Sequence, residues 1–201
     1  MSEVSDGFHG TKKILVNNKI SKDYFQIKKY DVIQEATNAA NHRRSKNPGS
    51  LGYGVYFFSK FEMAKEFISK FPGDDTILQA DLDLENCIDL DDEDFQDSYH
   101  IYRKKVEQTA QVHFKNFSVR SNAKQNVYDG IIIELYIREL KKKQQIEVSS
   151  VKKRTYTPSK DEKSEFYSNV PNGTEYCIRL SEIITNTKEI VGWILWIKNL
   201  Y

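Results

Sequence analysis

Three short segments of this chain carry side chains that could act together on a sugar and a planar ring. The first, FHGT at 8–11, places a glycine beside a histidine. Because glycine has no β carbon, a ligand could approach the backbone there, and an N–H and a C=O could clamp a carboxamide. His9 and Thr11 could form hydrogen bonds with sugar hydroxyls. A strand that meets a turn would explain the same residues without any ligand.

The second segment, GYGVYF at 52–57, is rich in aromatic residues and does not have the pattern of a phosphate-binding loop. Its GxG is not followed by the Lys-Ser/Thr of a phosphate-cradling loop. Tyr56 could instead lie against a planar ring and stack on it. An aromatic-rich core strand is the alternative interpretation.

The third segment, NGTEY at 172–176, places Glu175 at the start of an apolar strand. A carboxylate at the mouth of such a strand can point into a cleft, accept a hydrogen bond from a ribose hydroxyl and stabilise a developing cation. The alternative is a solvated glutamate at a strand end.

Other candidate sites are weaker. The four histidines, at 9, 42, 100 and 113, do not have the spacing of zinc ligands, and the acidic run at 89–94 lacks the glycine of a calcium loop. No serine or cysteine lies in a nucleophile-elbow sequence. These patterns predict a site without a metal.

The elements that must position these segments are helices and strands without strict alternation, which predicts the α+β class. Helical spacing of apolar residues predicts helices at 29–40, 61–71 and 91–117, and a short one that includes Ile14, Leu15 and Ile20. Ser59 is the expected N-cap of the helix at 61–71. Strands are expected to end near His9, to cover 54–58, 76–84, 175–180 and 188–197, and to include an edge strand at 146–148.

The apolar run IIIELYI at 131–137 fits either a buried strand or the start of a helix. Its β-branched residues favour a strand. Polar, breaker-rich segments at 42–50 and 157–172 are predicted loops.

Length and charge limit the kinds of partner. The 201 residues fit a single domain over 1–201, and a net charge of +1 does not by itself imply a polyanionic partner. Acidic residues concentrate at 81–97 and basic ones at 138–163, which predicts distinct acidic and basic surfaces. Clustered cations can contact phosphates, although a solvated loop is the more common explanation of such a stretch. The candidate nucleic-acid or target contacts are Arg43, Arg44, Lys152, Lys153 and Arg154.

The two cysteines, Cys87 and Cys177, lie outside any CxxC pair, which is typical of a reduced, intracellular protein. The N-terminal MSEVSD lacks the basic and apolar regions of a signal peptide. The apolar run at 191–197 is too short to span a bilayer. We therefore expect a soluble, cytoplasmic protein that does not bind a membrane.

Taken together and in this order, the three segments resemble the ADP-ribosyltransferase superfamily, on the branch shared by poly(ADP-ribose) polymerases and diphtheria-like toxins. That branch is marked by a His, Tyr, Glu triad, which corresponds here to His9 in HGT, Tyr56 in GYGVYFF and Glu175 in NGTEYCIRL. The resemblance implies two packed, mainly antiparallel sheets that form an NAD cleft with flanking helices. It does not cover 85–125 or 138–165, which we interpret as target-specific insertions.

The resemblance also implies roles for single residues in binding NAD. His9 would hold the ribose on the adenine side, the Gly10 backbone the nicotinamide amide, and Thr11 the nearby ribose. Tyr56 would stack on nicotinamide. Phe67 stands where many relatives carry a second stacking aromatic, although its helical spacing also fits the core.

In the same family, the residue at the position of Glu175 bonds the 2′-hydroxyl of the nicotinamide ribose and stabilises the oxocarbenium-like ribose as nicotinamide leaves. Arginine-modifying relatives carry Glu two residues earlier, where this chain has Gly173, so an arginine acceptor is not indicated. The length favours a single transfer over polymer synthesis. The resemblance extends to bacterial or phage toxins, including those with an antitoxin partner.

Several alternatives stay open at this point. The acceptor is a nucleic acid or a protein. A related RNA 2′-phosphotransferase shares the fold and an HGT-like motif but relies on several cationic side chains. A non-catalytic module that binds a nucleotide or RNA would use the same fold without turnover.

Overall fold

A computed structural model describes residues 3–17, 25–158 and 168–190 of the protein. Within these ranges one mixed seven-stranded sheet is accompanied by five α-helices, which confirms the α+β class. The strands are β1 (Val4–Lys12), β2 (Val55–Phe58), β3 (Asp75–Asp83), β4 (Cys87–Asp89), β5 (Ser150–Thr155), β6 (Gly173–Ile178) and β7 (Ile184–Ile190). The helices are α1 (Lys13–Asn17), α2 (Val32–Ala40), α3 (Phe61–Ile68), α4 (Glu93–Asn116) and α5 (Lys124–Gln144).

The expectation of two packed sheets is wrong for the described residues, because β1 and β2 join all seven strands in the order β4-β5-β6-β2-β1-β3-β7. The joint between β1 and β2 is narrow, however. β1 pairs with β3 over its whole length but with β2 at one position, Phe8 opposite Phe58. Beyond that position the His9 ring bonds the Tyr56 carbonyl, at 2.7 Å. A side chain therefore stands between the strands where ladder pairing has stopped.

The run at 131–137 lies within α5, so the predicted strand is wrong. Its apolar residues are buried around the whole helix, as in a helix enclosed by the core. Burial overrides the preference of β-branched residues for strands, which depends on the surroundings. Among the described residues, no helix is both long and apolar enough to cross a membrane.

Other boundaries also differ from the predictions. β1 continues past His9 to Lys12 because each of its nine residues pairs with β3. Residues 146–148 form no strand, since α5 extends through Gln144 and β5 begins at Ser150.

The predicted capping of α3 is also wrong. The N-cap is Lys60, since the Ser59 hydroxyl accepts from the Thr174 amide instead, at 2.8 Å.

Some predictions reach outside the described residues. The short helix after β1 is present as α1, and Ile20 lies outside the described ranges. The last predicted strand begins earlier, as β7, and its part from 191 onward also lies outside them. The same holds for 159–167 of the predicted loop.

Two apolar clusters cover opposite faces of the sheet around β2 and β6. Cys177 belongs to the cluster formed with α2, α4 and α5, and Tyr56 packs against it. Phe57 and Tyr176 belong to the opposite cluster. Because side chains alternate along a strand, Tyr56, Cys177 and Glu175 share one face of these two neighbouring strands. The sheet thus carries two of the predicted catalytic residues on adjacent strands.

Candidate active site

A cavity of about 390 Å³ lies beside the joint between β1 and β2. This volume is within the usual range of small-molecule sites. Its lining combines residues from β1, α1, β2, α3 and β3, together with residues 25, 26 and 54. Four predicted cofactor residues are among them: His9, Thr11, Tyr56 and Phe67.

His9 lines this cavity and packs against two aromatic rings that also contact each other. Its ring centroid is 5.3 Å from that of Phe25 and 5.4 Å from that of Phe57. Burial lowers the pKa of His9, so the imidazole is neutral at pH 7. A carbonyl oxygen can only accept a hydrogen bond, so His9 Nδ1 is protonated and donates to the Tyr56 carbonyl. Nε2 is then left as an acceptor, suited to a sugar hydroxyl.

Gly10 does not line the cavity but brings α3 against β1. A β carbon at Gly10 would stand 2.6 Å from the Ala64 carbonyl oxygen and 2.8 Å from Cβ of Ile68. Both of those residues belong to α3. The glycine therefore permits the close approach that places Phe67 of α3 at the cavity.

Phe67 lines the cavity and also packs against other aromatic residues. The residue is 37% exposed. It also contacts Phe58 and Phe71, with ring centroids 5.4 Å and 5.6 Å away. The core contacts hold the ring while part of it remains open to a ligand.

The Tyr56 hydroxyl is fixed by the loop that precedes β2. It donates to the Gly52 carbonyl at 2.8 Å and accepts from the Leu51 amide at 3.0 Å. Gly49 and Gly52 pair with each other through two backbone hydrogen bonds of 3.1 Å. Burial raises the pKa of Tyr56 well above its usual value, so the phenol stays neutral. Tyr56 is therefore an anchor for this loop as well as part of the cavity wall.

Glu175 lies on β6, opposite Phe58 of β2 on one side and Lys153 of β5 on the other. Its Oε2 accepts a hydrogen bond of 3.1 Å from the Ser50 hydroxyl. Burial raises the pKa of Glu175, and the Ser50 bond and the Lys153 charge oppose that rise. Glu175 is not among the residues that line the cavity. Its link to Tyr56 runs through the loop that carries Ser50.

Sequence reasoning missed three residues, one in this loop and two that contact it. Ser50 bonds Glu175, while Glu134 of α5 and Arg179, just after β6, form a buried ion pair. Glu134 stands alone in the apolar run at 131–137, and a charge in such a run must find a partner when it is buried. That pattern could have identified Glu134, although not Arg179 as its partner.

A second cavity, also of about 390 Å³, adjoins the first. The two share Gln26, Gly54, Val55 and Tyr56 in their linings. The second is more polar, since Lys28, Lys46 and Asn47 also line it. Tyr56 therefore stands between an apolar chamber and a polar one.

The candidate target contacts fall into two groups. Lys152 bonds Glu3 and Asp89, each at 3.3 Å, and Arg154 lies 3.7 Å from Asp91. Because β4 pairs in parallel with β5, the acidic run lies against part of the basic one. The expected separation of acidic and basic surfaces does not hold there.

Arg43, Arg44 and Lys153 form the second group and are exposed. Within the described ranges, neither Arg43 nor Arg44 has an ion pair. Their charges are therefore open to an anionic partner.

The described residues contain no group of three His, Cys, Asp or Glu side chains that could hold a metal ion. Cys87 and Cys177 are free thiols. Comparison with known proteins found no family model that matches the chain and no curated protein that matches it.

Proposed function

We propose that this protein is an ADP-ribosyltransferase that cleaves NAD and transfers a single ADP-ribose to a macromolecular acceptor. The observation that carries the proposal is the shared cavity of His9, Thr11, Tyr56 and Phe67. These residues come from separate segments, and the resemblance had assigned NAD contacts to each of them. The proposed fold is that of the ADP-ribosyltransferases, in which the narrow joint between β1 and β2 corresponds to the division between the two sheets.

The chain's own groups suit the parts of NAD. His9 Nε2 accepts from a ribose hydroxyl, because Nδ1 is committed to the Tyr56 carbonyl. Thr11 offers a hydroxyl at the same wall, and the Tyr56 and Phe67 rings offer surfaces for the flat nicotinamide. The lining is mostly apolar, so NAD bound there would displace water from around the reacting groups and strengthen their electrostatic interactions.

The proposed reaction breaks the bond between C1″ of the ribose and the nicotinamide nitrogen. The bonding electron pair leaves with neutral nicotinamide, the acceptor's nucleophile bonds C1″, and the acceptor releases a proton. Glu175 stabilises the cationic ribose only while it is ionised. The Ser50 hydrogen bond and the Lys153 charge favour that ionised form against the effect of burial.

The acceptor is a nucleic acid or a protein. Exposed Arg43 and Arg44 support a nucleic acid, whereas Lys152 and Arg154 already have acidic partners. Arginine is disfavoured as the target, because Gly173 stands where the arginine-modifying relatives in that resemblance carry a glutamate. A toxin or phage-defence effector, with an antitoxin as a partner, is the biological setting we propose from the resemblance.

The test is nicotinamide release from NAD by the purified protein, with and without cell lysate. Glu175→Gln should reduce release on the order of 10²–10³-fold, as loss of one stabilising group at a developing charge does. Glu182→Gln, which changes an exposed glutamate, is the matched control and should retain wild-type release. If the protein releases no nicotinamide with or without lysate, the proposed function is wrong.

Transfer of label from NAD into lysate identifies the acceptor class. Label that survives nuclease but not protease excludes a nucleic acid, and the reverse pattern excludes a protein.

A non-catalytic NAD-binding module is the second candidate, because Glu175 bonds Ser50 and does not line the cavity. It predicts NAD binding by calorimetry without nicotinamide release. The RNA 2′-phosphotransferase is less well supported, since no lysine or arginine is among the described residues that line this cavity.

A further inference from the structure

Glu134 and Arg179 form an ion pair next to residues 49–53, the loop that precedes β2. Glu134 is 5% exposed, and the Arg179 side chain is also largely buried. Arg179 Nη2 donates to Glu134 Oε2 at 3.0 Å, and Nη1 donates to Oε1. Two parallel hydrogen bonds of this kind fix both the distance and the orientation of the partners.

The same pair holds the backbone of that loop. The Tyr53 amide donates to Glu134 Oε1 at 2.6 Å, and Arg179 Nη1 donates to the Tyr53 carbonyl at 3.1 Å. Gly52 has a φ of 92°, and a β carbon there would strike the Glu134 carboxylate. Only glycine both adopts this conformation readily and leaves room for the carboxylate.

The same loop also bonds the two candidate catalytic side chains. The Tyr56 hydroxyl bonds the Leu51 amide and the Gly52 carbonyl. The Ser50 hydroxyl bonds the Glu175 carboxylate. Residues 49–53 therefore contact both the ion pair and the proposed catalytic groups.

We propose that Glu134 and Arg179 are positioning residues. They hold the 49–53 loop so that Ser50 stays bonded to Glu175 and the Tyr56 ring stays in the cavity wall. The inference rests on the proposed function, because it assigns the pair to the same reaction. The pair acts on Glu175 through geometry. Neither of its charges is among the groups that shift the pKa of Glu175, whereas the Ser50 bond is.

The principal test is the double variant Glu134→Leu/Arg179→Met. Replacing a buried ion pair by apolar side chains of similar size usually keeps a protein folded. It also removes both partners of the Tyr53 backbone. We expect faster hydrogen exchange at the Tyr53 and Leu51 amides, and a fall in kcat for nicotinamide release on the order of 10²-fold with a smaller change in KM.

Titration of the Glu175 carboxyl by NMR gives a readout that a merely structural role would not change. Loss of the Ser50 bond in the double variant should raise the pKa of Glu175 further, because that bond lowers it. If the Ser50 bond were kept, replacing Glu134 and Arg179 should leave the pKa of Glu175 unchanged, because neither charge acts on it directly.

Two controls separate positioning from stability. Glu134→Gln keeps the oxygen that accepts from the Tyr53 amide and from Arg179 Nη1 but turns an amide N–H₂ toward Nη2, so it should keep protection of the Tyr53 amide while losing part of kcat. Glu139→Gln/Lys143→Gln removes an exposed ion pair on the same helix and should change neither. If the double variant does not fold, Arg179→Lys replaces it, since it keeps the charge but not the two-pronged geometry. Its amide exchange should rise at the same two positions.

Failure of the inference differs from failure of the proposed function. A folded double variant, or Arg179→Lys in its place, with wild-type amide protection and wild-type kcat would overturn the inference. If the wild-type protein releases no nicotinamide, the proposed function fails. The positioning of the loop is then decided by amide exchange and by the Glu175 titration alone, and unchanged values in both would overturn it.

Discussion

At the scale of single residues, the Glu175 carboxylate combines burial with two groups that favour its charge. Burial raises its pKa, while the Ser50 hydroxyl and Lys153 lower it. A carboxylate that must stabilise a cation works only when it is deprotonated. The rate of nicotinamide release should therefore fall as the pH drops through the raised pKa of Glu175.

Ser50→Ala should move that acidic limb to higher pH, because the substitution removes a bond to the ionised carboxylate. The measurement is the pH dependence of kcat for nicotinamide release in the wild type and the variant. Ser118→Ala, at an exposed serine, serves as the matched control and should leave the limb in place. A limb that moves to lower pH in Ser50→Ala would contradict the assignment.

Tyr56→Phe should keep the aromatic ring and lose the bonds to Leu51 and Gly52. Leaving the Leu51 amide without this partner should lower the free energy of unfolding by about 1–3 kcal/mol. We also expect a lower kcat, since the loop that holds Ser50 is released. Denaturant unfolding and nicotinamide release measure the two effects.

Tyr102→Phe is the matched control for this change. Its hydroxyl also bonds a backbone carbonyl, that of Leu135 at 2.9 Å, but Tyr102 does not line the cavity. It should lose stability without losing kcat. Equal losses of kcat in both variants would indicate a general effect of stability.

At the scale of elements, α3 and β1 approach closely because Gly10 has no side chain. Gly10→Ala should push α3 away, since a β carbon would meet the backbone oxygen of Ala64. The expected cost is about 1–3 kcal/mol in the free energy of unfolding. NAD binding should also weaken, because Phe67 lies on α3 and lines the cavity.

Gly10→Ala/Ile68→Ala tests the cause of that loss. Ile68→Ala removes Cγ2 of Ile68, one of the two Ile68 atoms that the new β carbon would meet, but leaves Cβ of Ile68 and the Ala64 backbone oxygen in place. The cost of Gly10→Ala should therefore be smaller in the Ile68→Ala background than in the wild type. An unchanged cost would show that the Cγ2 contact contributes little. Denaturant unfolding and calorimetric titration with NAD give the two measurements.

At the scale of the whole molecule, the net charge is close to zero, and part of the acidic run at 81–97 lies against part of the basic run at 138–163. Lys152 and Arg154 on β5 already have acidic partners from β4 and its surroundings, whereas Arg43 and Arg44 are exposed without an ion pair in the described ranges. If the acceptor is a nucleic acid, its phosphates should contact the second pair of cations.

Arg43→Ala/Arg44→Ala should weaken binding of a labelled single strand. The slope of log K against log salt concentration should also become shallower, by about 0.7 for each phosphate that the variant no longer neutralises. Lys152→Ala/Arg154→Ala is the matched control with the same change in net charge and should have a smaller effect. Fluorescence anisotropy at several salt concentrations measures both, and a larger effect of the second variant would contradict the assignment.

The sequence by itself was sufficient for the α+β class, and four of the residues that it singled out, His9, Thr11, Tyr56 and Phe67, line one cavity. Short motifs such as HGT and GYGVYF have local signals, because glycine and aromatic residues limit what a segment can do. The amphipathic helix that carries Phe67 was equally readable from the spacing of its apolar residues.

Only the tertiary structure decided how these residues are supported. The run at 131–137 became a helix because it is buried on all sides, and that placed Glu134 next to Arg179 from a distant part of the chain. The 49–53 loop, Ser50 and the pairing of the charged runs likewise depend on contacts between remote segments. Such contacts arise from packing and register, which no local pattern of residue types encodes.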